Sequence, residues 1–499
     1  MQIHICSLER DRYRGDVFAQ AVVASGPPGS AAVAAGSTAA AEVAASVLTA
    51  GGNAIDAVVA AGFATPMCEP VLSSIAGGGF CMYEAPGAAP VMLDFFVDVP
   101  GLGTRPEIPN VATISVNFGG NAEQVFHAGW GTVATPGCLP GLLDAHQRWG
   151  QLALPDVIAP AKQMAERGVR LDEVQLAFLD VVEEILTVTE RSASLYTTAA
   201  LSGTFTNPEY AKLVQRIADD GNGAAFLREL AEQAIEFGGI VSQADVDAYR
   251  PILRDPLTFA HAGATVWTNP APSFGGTIIA GALQRIGDAR NWDDVSRAMR
   301  EATEAARKVT DVSRGTTHIS VIDRDGGIAS CTVSNGSGSG TVVDGVQLNN
   351  MLGEEDLNSA IRDGGIGAIH DLTPGVRMGS MMAPTLARLA DGTQLAIGSG
   401  GSERIRSALI TTLLRVIDHG MSLEAAVDAP RIHVNGEIID VEPGLGHTFA
   451  NEIVWPGPDL YFGGVHGIVR HPDGSVTAVA DARRGGHVVV RELNELSTR

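Results

Sequence analysis

The sequence predicts an α+β fold, and three observations carry that reading. Alanine-rich helical segments near the start give way to short strands punctuated by glycine. A middle stretch is mainly helical, and strand character dominates again beyond Thr316.

Taken in order, Ser37–Ala50, STAAAEVAASVLTA, is built from strong helix formers behind a Ser or Thr N-cap, and Gly51-Gly52-Asn53 closes it. A second helix over Ala54–Ala64 follows at once, so a tight turn should pack the two together. Gly77 to Gly79 then precede two strands, Phe80–Glu84 and Val91–Phe96, joined by a Pro-Gly turn. From about Pro155 to Arg250, segments such as LPDVIAPAKQMAERG carry apolar residues at helical spacing. Strand character returns around Ala264 in ATVWTNPAPSFGGTIIAGAL, where prolines and Gly275-Gly276 interrupt the backbone before another helix. GTTHISVIDRDG, Gly315 to Gly326, opens a strand in which Ile319 and Val321 alternate with Ser320 and Ile322, and DRDGG ends it as a hairpin turn. Ser334–Gly340, SNGSGSG, has the composition of a flexible linker and equally that of a site loop.

Composition removes several function classes. The 34 basic and 57 acidic residues give a formal charge of −23, which repels phosphate backbones and anionic lipid, so neither nucleic acid nor membrane is an expected partner. The N-terminal MQIHICSLERDRYRGDVFAQA offers no continuous apolar stretch of the signal-peptide kind, and no segment is apolar enough to span a bilayer. The five cysteines form no CxxC pair and no disulfide framework, which makes the cytoplasm the expected compartment. No Gly-rich loop leads into Lys-Ser or Lys-Thr, and the 12 histidines, His127, His146, His318, His433 and His466 among them, form no H-E-x-x-H pair. Phosphate cradles and zinc hydrolase sites lose support, and no metal is expected.

What remains is a hydroxyl nucleophile. A threonine hydroxyl needs a base beside it, and a threonine that begins a chain carries one in its own amine. That requires a cut immediately before it. Gly315-Thr316 suits such a cut, because a glycine tolerates the strained backbone from which a hydroxyl attacks the preceding carbonyl.

With these residues in view, the chain resembles the γ-glutamyltransferases (γ-glutamyltranspeptidases), which are self-cleaving N-terminal-nucleophile hydrolases. Ten stretches occur in family order over nearly the whole length: EVAASVLTAGGNAIDAVVAAGFA, IAGGGF, ATPGCLPGLLDAH, DVDAYRPILRDPL, NPAPSFGG, TTHISVIDRDG, LNN, APTL, GSGGSERI and DAPRIH. The resemblance implies a four-layer αββα sandwich, cut into a large segment, 1–315, and a small one, 316–499, that stay together as one intertwined unit. It also implies that Thr316 is the nucleophile and its freed amine the base. Ser334 stands where the family has a threonine that contacts the nucleophile, and Gly400 and Gly401 match the paired glycines of the oxyanion hole. No cofactor is implied.

The departures fall on substrate recognition. Phe96, in LDFFVDVP, occupies the position of the family's carboxylate-binding arginine, and an aromatic ring cannot offer a forked cation. Where acidic and amide groups hold the substrate ammonium, NNMLGEED supplies Met351 and Leu352, and only Glu354 keeps an acidic position. The paired serines become Ser380 and Met381, and Asn335 matches the loop asparagine only with a gap. Arg105, shortly after Phe96, and Arg404, after the paired glycines, are placed to approach an anionic substrate, with a surface ion pair the more expected role for each.

The expected activity is that of a self-processing amidohydrolase or acyltransferase acting on an acyl group other than ordinary γ-glutamyl. The alternatives are a true γ-glutamyl hydrolase or transpeptidase with a rearranged clamp, and an unprocessed homologue that only binds. Expected partners are a small-molecule acyl substrate and the chain's own two fragments, with homo-oligomerisation left open.

Overall fold

Two capped helices set the first layer of the molecule. Ser37 caps helix Thr38–Thr49, its Oγ accepting the Ala40 amide at 3.2 Å. Asn53 and Asp56 then form a reciprocal capping box, each side chain accepting the other's backbone N–H, and open helix Ala54–Cys68. That helix runs past the expected Ala64 and takes Pro66 into its last turn. Almost every position along it is buried, so packing on all sides, rather than local propensity, sets where it ends. The structure, a computed structural model, describes residues 20–103, 105–107, 109–117, 123–287, 291–307, 316–354 and 366–492.

Two seven-stranded antiparallel sheets form the centre. One is ordered, edge to edge, Val22–Gly26, Val476–Ala480, Gly464–Arg470, Gln394–Gly400, Thr385–Arg388, Ala264–Thr268 and Leu257–His261. The other is ordered His487–Glu492, Ser30–Ala35, Thr317–Ile322, Ile328–Ser334, Gly78–Glu84, Val91–Phe95 and Ile252–Arg254. Alternation along the strands builds the layers. Ile319 and Val321 pack with Ala44, Val58 and Phe63 of the first helices, whereas Ile322 and Ile328 face the core shared with Leu395, Ile397 and Ile468 of the opposite sheet. Helices Gly275–Ile286 and Arg404–Ile417 cover the far face of that opposite sheet. The result is the four-layer αββα sandwich.

The topology interleaves the two parts of the chain on either side of Thr316. Strand Ser30–Ala35 is hydrogen-bonded on one edge to Thr317–Ile322 and on the other to His487–Glu492. Pulling the parts apart would break ladders on both edges of that strand and expose fully buried alanines and valines.

The expected hairpin closes at Asp323, whose carboxylate accepts the amides of Asp325 (3.0 Å) and Gly327 (2.8 Å). SNGSGSG is no linker. Ser334, Asn335, Ser337 and Ser339 are buried, and the loop is tied down by Ser337 N–H donating to Asn350 Oδ1 at 2.8 Å. Cys68, Cys81, Cys138 and Cys331 are buried free thiols; Cys6 and Gly315 lie outside the described residues. Among the described residues no helix is long and apolar enough to cross a membrane.

Candidate active site

Thr316 stands at the entrance to a central strand and is buried, as is Thr317. The register pairs Thr317 with Val333, so the next rung sets Ser334 opposite Thr316. The Ser334 hydroxyl accepts the Gly336 amide at 3.0 Å, which spends it on the shape of the following loop.

Gly400 and Gly401 approach from the other sheet. A Cβ on Gly400 would lie 2.3 Å from the Thr316 carbonyl oxygen, so only glycine allows the two backbones this close. Gly401 has φ +119°, a conformation L side chains rarely adopt, and its carbonyl accepts the Arg404 amide at 3.0 Å where helix Arg404–Ile417 begins. The pair thus sits at the positive end of a 14-residue helix, a place that favours developing negative charge.

A recess of about 180 Å³ adjoins the two elements, lined by Gly36, Glu69, Leu72, Thr316, Thr317, Gly400, His466 and Arg484. Burial pushes the Glu69 carboxyl up to about 7; the Thr317 and Ser37 hydroxyls and Arg484 pull the other way, and Asp172 adds to the rise. Burial and the nearby Arg404 lower Arg484 to about 10. Its Nε donates to Leu460 O at 3.1 Å, and among the described residues its two terminal nitrogens have no hydrogen-bond partner. Those nitrogens lie 3.5 and 3.4 Å from where side chains on Gly400 and Gly401 would begin. His466 is held near 4 by burial and is neutral at physiological pH. Burial also keeps His318 neutral, bracketed by Thr332 at 2.8 Å and Ser320 at 3.0 Å.

Sequence reasoning missed Glu69, His466 and Arg484. The available signals were a glutamate directly following the apolar helix in PMCEP, and an arginine pair in DARRGG. Neither betrays its burial beside Thr316. Among the described residues no three His, Cys, Asp or Glu side chains gather as a metal site.

The expected clamp positions are occupied by core packing. Phe96 is fully buried and stacks on Phe80 at 5.6 Å; Met351, Leu352 and Met381 are equally buried. Glu354 accepts the Ser337 amide (3.1 Å) and hydroxyl (2.7 Å), so it braces the SNGSGSG loop. The Ser380 carbonyl accepts Phe274 and Gly275 amides and the Ser273 hydroxyl, while its Oγ accepts the Met382 amide. Asn335 Nδ2 lies 3.2 Å from Gln347 Oε1.

Of the two candidate cations, Arg105 is committed elsewhere, whereas the buried Arg404 Nε has no hydrogen-bond partner among the described residues. Arg105 donates to the carbonyls of Pro100, His370 and Leu372, and Arg404 stacks over the Tyr461 ring at 3.9 Å. An unforeseen arginine, Arg377, lies beside the Asp94-Phe95-Phe96 segment. Its guanidinium donates to the Asp94 carbonyl and carboxylate, to Asp98 and to the Arg250 carbonyl, leaving no free fork.

Comparison with known proteins bears on the family and the fold. The family model for gamma-glutamyltranspeptidase matches residues 40–311 and 284–490. An acylase ACY 1 proenzyme from Pseudomonas sp. strain SE83 is 27% identical over 514 residues, covering 87% of this chain and 89% of that protein. A glutathione hydrolase proenzyme from Bacillus subtilis strain 168 is 27% identical over 536 residues, covering 88% of each. The crystal structure of a cephalosporin acylase from Bacillus halodurans superposes with a TM-score of 0.75 at 23% identity, over 96% of this chain and 98% of that one, which speaks for the shared fold. The chain belongs to the gamma-glutamyltranspeptidase family and is an enzyme of its N-terminal-nucleophile hydrolase and transferase type.

Proposed function

We propose that the chain cuts itself before Thr316 and then acts as an amidohydrolase or acyltransferase through an acyl-enzyme on that threonine. One observation carries the reading: the Thr316 carbonyl abuts Gly400 at the start of a helix, inside a recess that holds both residues. In the uncut chain the Thr316 hydroxyl adds to the Gly315 carbonyl and the peptide C–N bond breaks. An ester forms and the amine is released; water hydrolyses the ester to leave Gly315 as a free carboxylate. Segments 1–315 and 316–499 remain as one body because their strands interleave.

In the mature enzyme the free amine takes the hydroxyl proton while the oxygen attacks a substrate amide. Amides of Gly400 and Gly401 hold the oxyanion, the leaving amine departs protonated, and water or an acceptor amine removes the acyl group. The acyl group is one without a γ-glutamyl α-carboxylate, since Phe96, Met351 and Met381 fill the clamp positions with buried apolar side chains. A second reading, true γ-glutamyl hydrolysis, draws support from Arg484, whose guanidinium lies over the Phe178 ring at 5.3 Å with its terminal nitrogens beside Gly400 and Gly401.

A denaturing gel tests the first step. Purified protein should give two chains of about 33 and 19 kDa, from the 51.8 kDa of the whole divided at residue 316, and Thr316→Ala should give one. Cleavage of the Thr316→Ala chain at the same bond, in a protease-free preparation, would falsify the nucleophile assignment.

A further inference from the structure

We infer that Glu69 is a positioning residue whose carboxylate receives the ammonium group set free on Thr316 when the chain is cut. The inference rests on the self-cleavage reading and adds a partner for the charge that cleavage creates.

Cutting turns a neutral backbone amide into an ammonium at a residue that is 1% exposed. Charges in such places are ordinarily paired. The uncut chain already holds a buried carboxyl group there, with Arg484 as the cation acting on it. Glu69 is 1% exposed, and among the described residues its Oε1 has no hydrogen-bond partner and its carboxylate no ion pair. It sits just beyond the last residue of helix Ala54–Cys68 and reaches over Gly36. A Cβ on Gly36 would lie 2.4 Å from Glu69 Oε2 and 2.5 Å from Thr317 Oγ1, so the carboxylate and that hydroxyl share the space the glycine leaves. From there the Thr317 hydroxyl acts on the carboxyl and lowers it.

Strand alternation gives the direction of approach. Thr317 faces the first helix layer with Ile319 and Val321, and Thr316 falls on the opposite face with His318 and Ser320. Glu69 comes from the helix side. It therefore approaches the Thr316 backbone from the face opposite the Thr316 side chain.

The surroundings decide the sign of the effect. Arg484, Asp172, Cys68 and His466 adjoin the carboxylate. Burial keeps His466 neutral and pushes the Cys68 thiol up, so the fixed charges are Arg484 and Asp172. Glu69 and Asp172 favour the ammonium, and Arg484 opposes it. Without that ammonium, burial holds the Glu69 carboxyl near 7; pairing lowers the carboxyl and raises the amine above its ordinary range, about 7.7 to 8. Activity that needs the neutral amine therefore begins at a higher pH with Glu69 than without it.

The test reads the amine itself. Processed protein is acetylated with limiting acetic anhydride over a range of pH, and the peptide beginning at Thr316 is quantified by mass spectrometry. In Glu69→Gln the labelling midpoint should fall by roughly one to three pH units, the usual influence of an opposite charge at close range; Glu69→Asp should retain most of the wild-type midpoint. Equal midpoints in wild type and Glu69→Gln overturn the inference. If Glu69→Gln is not cut, the wild-type midpoint decides alone: above the ordinary α-amine range it supports the inference, at or below it the inference fails. A wild-type chain that stays whole on a gel refutes the nucleophile reading instead.

Discussion

The filled clamp predicts that an α-carboxylate on the acyl group hinders turnover. At position 96 the side chain is an aromatic ring with no exposure, stacked on Phe80, and the nearest arginine, Arg377, has its donors taken by Asp94, Asp98 and the Arg250 carbonyl. A carboxylate entering there loses hydration and gains no forked cation, a cost of about 2 to 5 kcal/mol by analogy with truncated buried pairs. At 1.36 kcal/mol per decade that is roughly 30-fold to several-thousand-fold in kcat/KM. Four p-nitroanilides separate the charges: γ-glutamyl, glutaryl (no ammonium), 4-aminobutyryl (no carboxylate) and butyryl (neither). Butyryl and 4-aminobutyryl should outpace the two that bear a carboxylate by at least the lower bound. Should wild type prefer γ-glutamyl or glutaryl, and Arg484→Met lose that preference, then Arg484 supplies the missing cation and the argument from Phe96 is wrong.

Three further outcomes follow from particular contacts. Gly400→Ala must displace backbone, because its Cβ would stand 2.3 Å from the Thr316 carbonyl oxygen; in folded, processed protein, turnover should drop by about 100-fold or more, the usual cost of a lost oxyanion donor, and near-normal turnover would place the oxyanion elsewhere. Phe96→Ala, made in the uncut Thr316→Ala chain so that one polypeptide unfolds, should cost about 3 to 5 kcal/mol in urea titration, and a cost under about 1 kcal/mol would mean that the ring lines open space. In that same background Glu69 should make stability fall as pH rises. Its folded value of about 7 exceeds the ordinary 4.5, so the unfolded chain releases its proton first; the penalty grows between those two values and is complete above pH 7. Glu69→Gln should remove a penalty of roughly 3 kcal/mol at pH 8, and parallel stability curves for the two chains would refute the burial argument.

The strands and helices that frame the site were legible because each carries a local signal. Ser37 caps where a cap was expected, the DRDGG turn closes on Asp323, and Asn53, expected only to help stop the first helix, caps the start of the second. Helix Ala54–Cys68 outran its expected end because burial on every side overrode the proline that local rules read as a stop. For SNGSGSG, composition left a linker and a site loop equally open, and the contacts of Ser337 with Asn350 and Glu354, 13 and 17 residues on, fold it into the core. Arg377 beside Asp94, and Glu69 with Arg484 beside Thr316, arise from pairings across hundreds of residues that carry no local trace. Thr316 itself was legible only through the chemistry a chain-initiating threonine can perform.

The catalytic frame and the substrate clamp are made of different material, and that explains why one can persist while the other drifts. The frame is backbone against backbone. Gly400 meets the Thr316 carbonyl, Gly77 meets the Ser334 carbonyl at 2.0 Å from where its Cβ would be, and Gly36 yields its side-chain space to Glu69 and Thr317. Any added carbon at these points forces main chain or a buried charge to move, so there is little room for gradual change. The clamp is side-chain matter. Phe96 for arginine, or Met351 for a polar group, alters volume and charge without touching a ladder hydrogen bond, and Phe80 and the surrounding core accept the new apolar surface as packing. An acyl pocket can therefore change its chemistry one residue at a time while Thr316, the proposed nucleophile, and the glycine contacts around it hold their geometry.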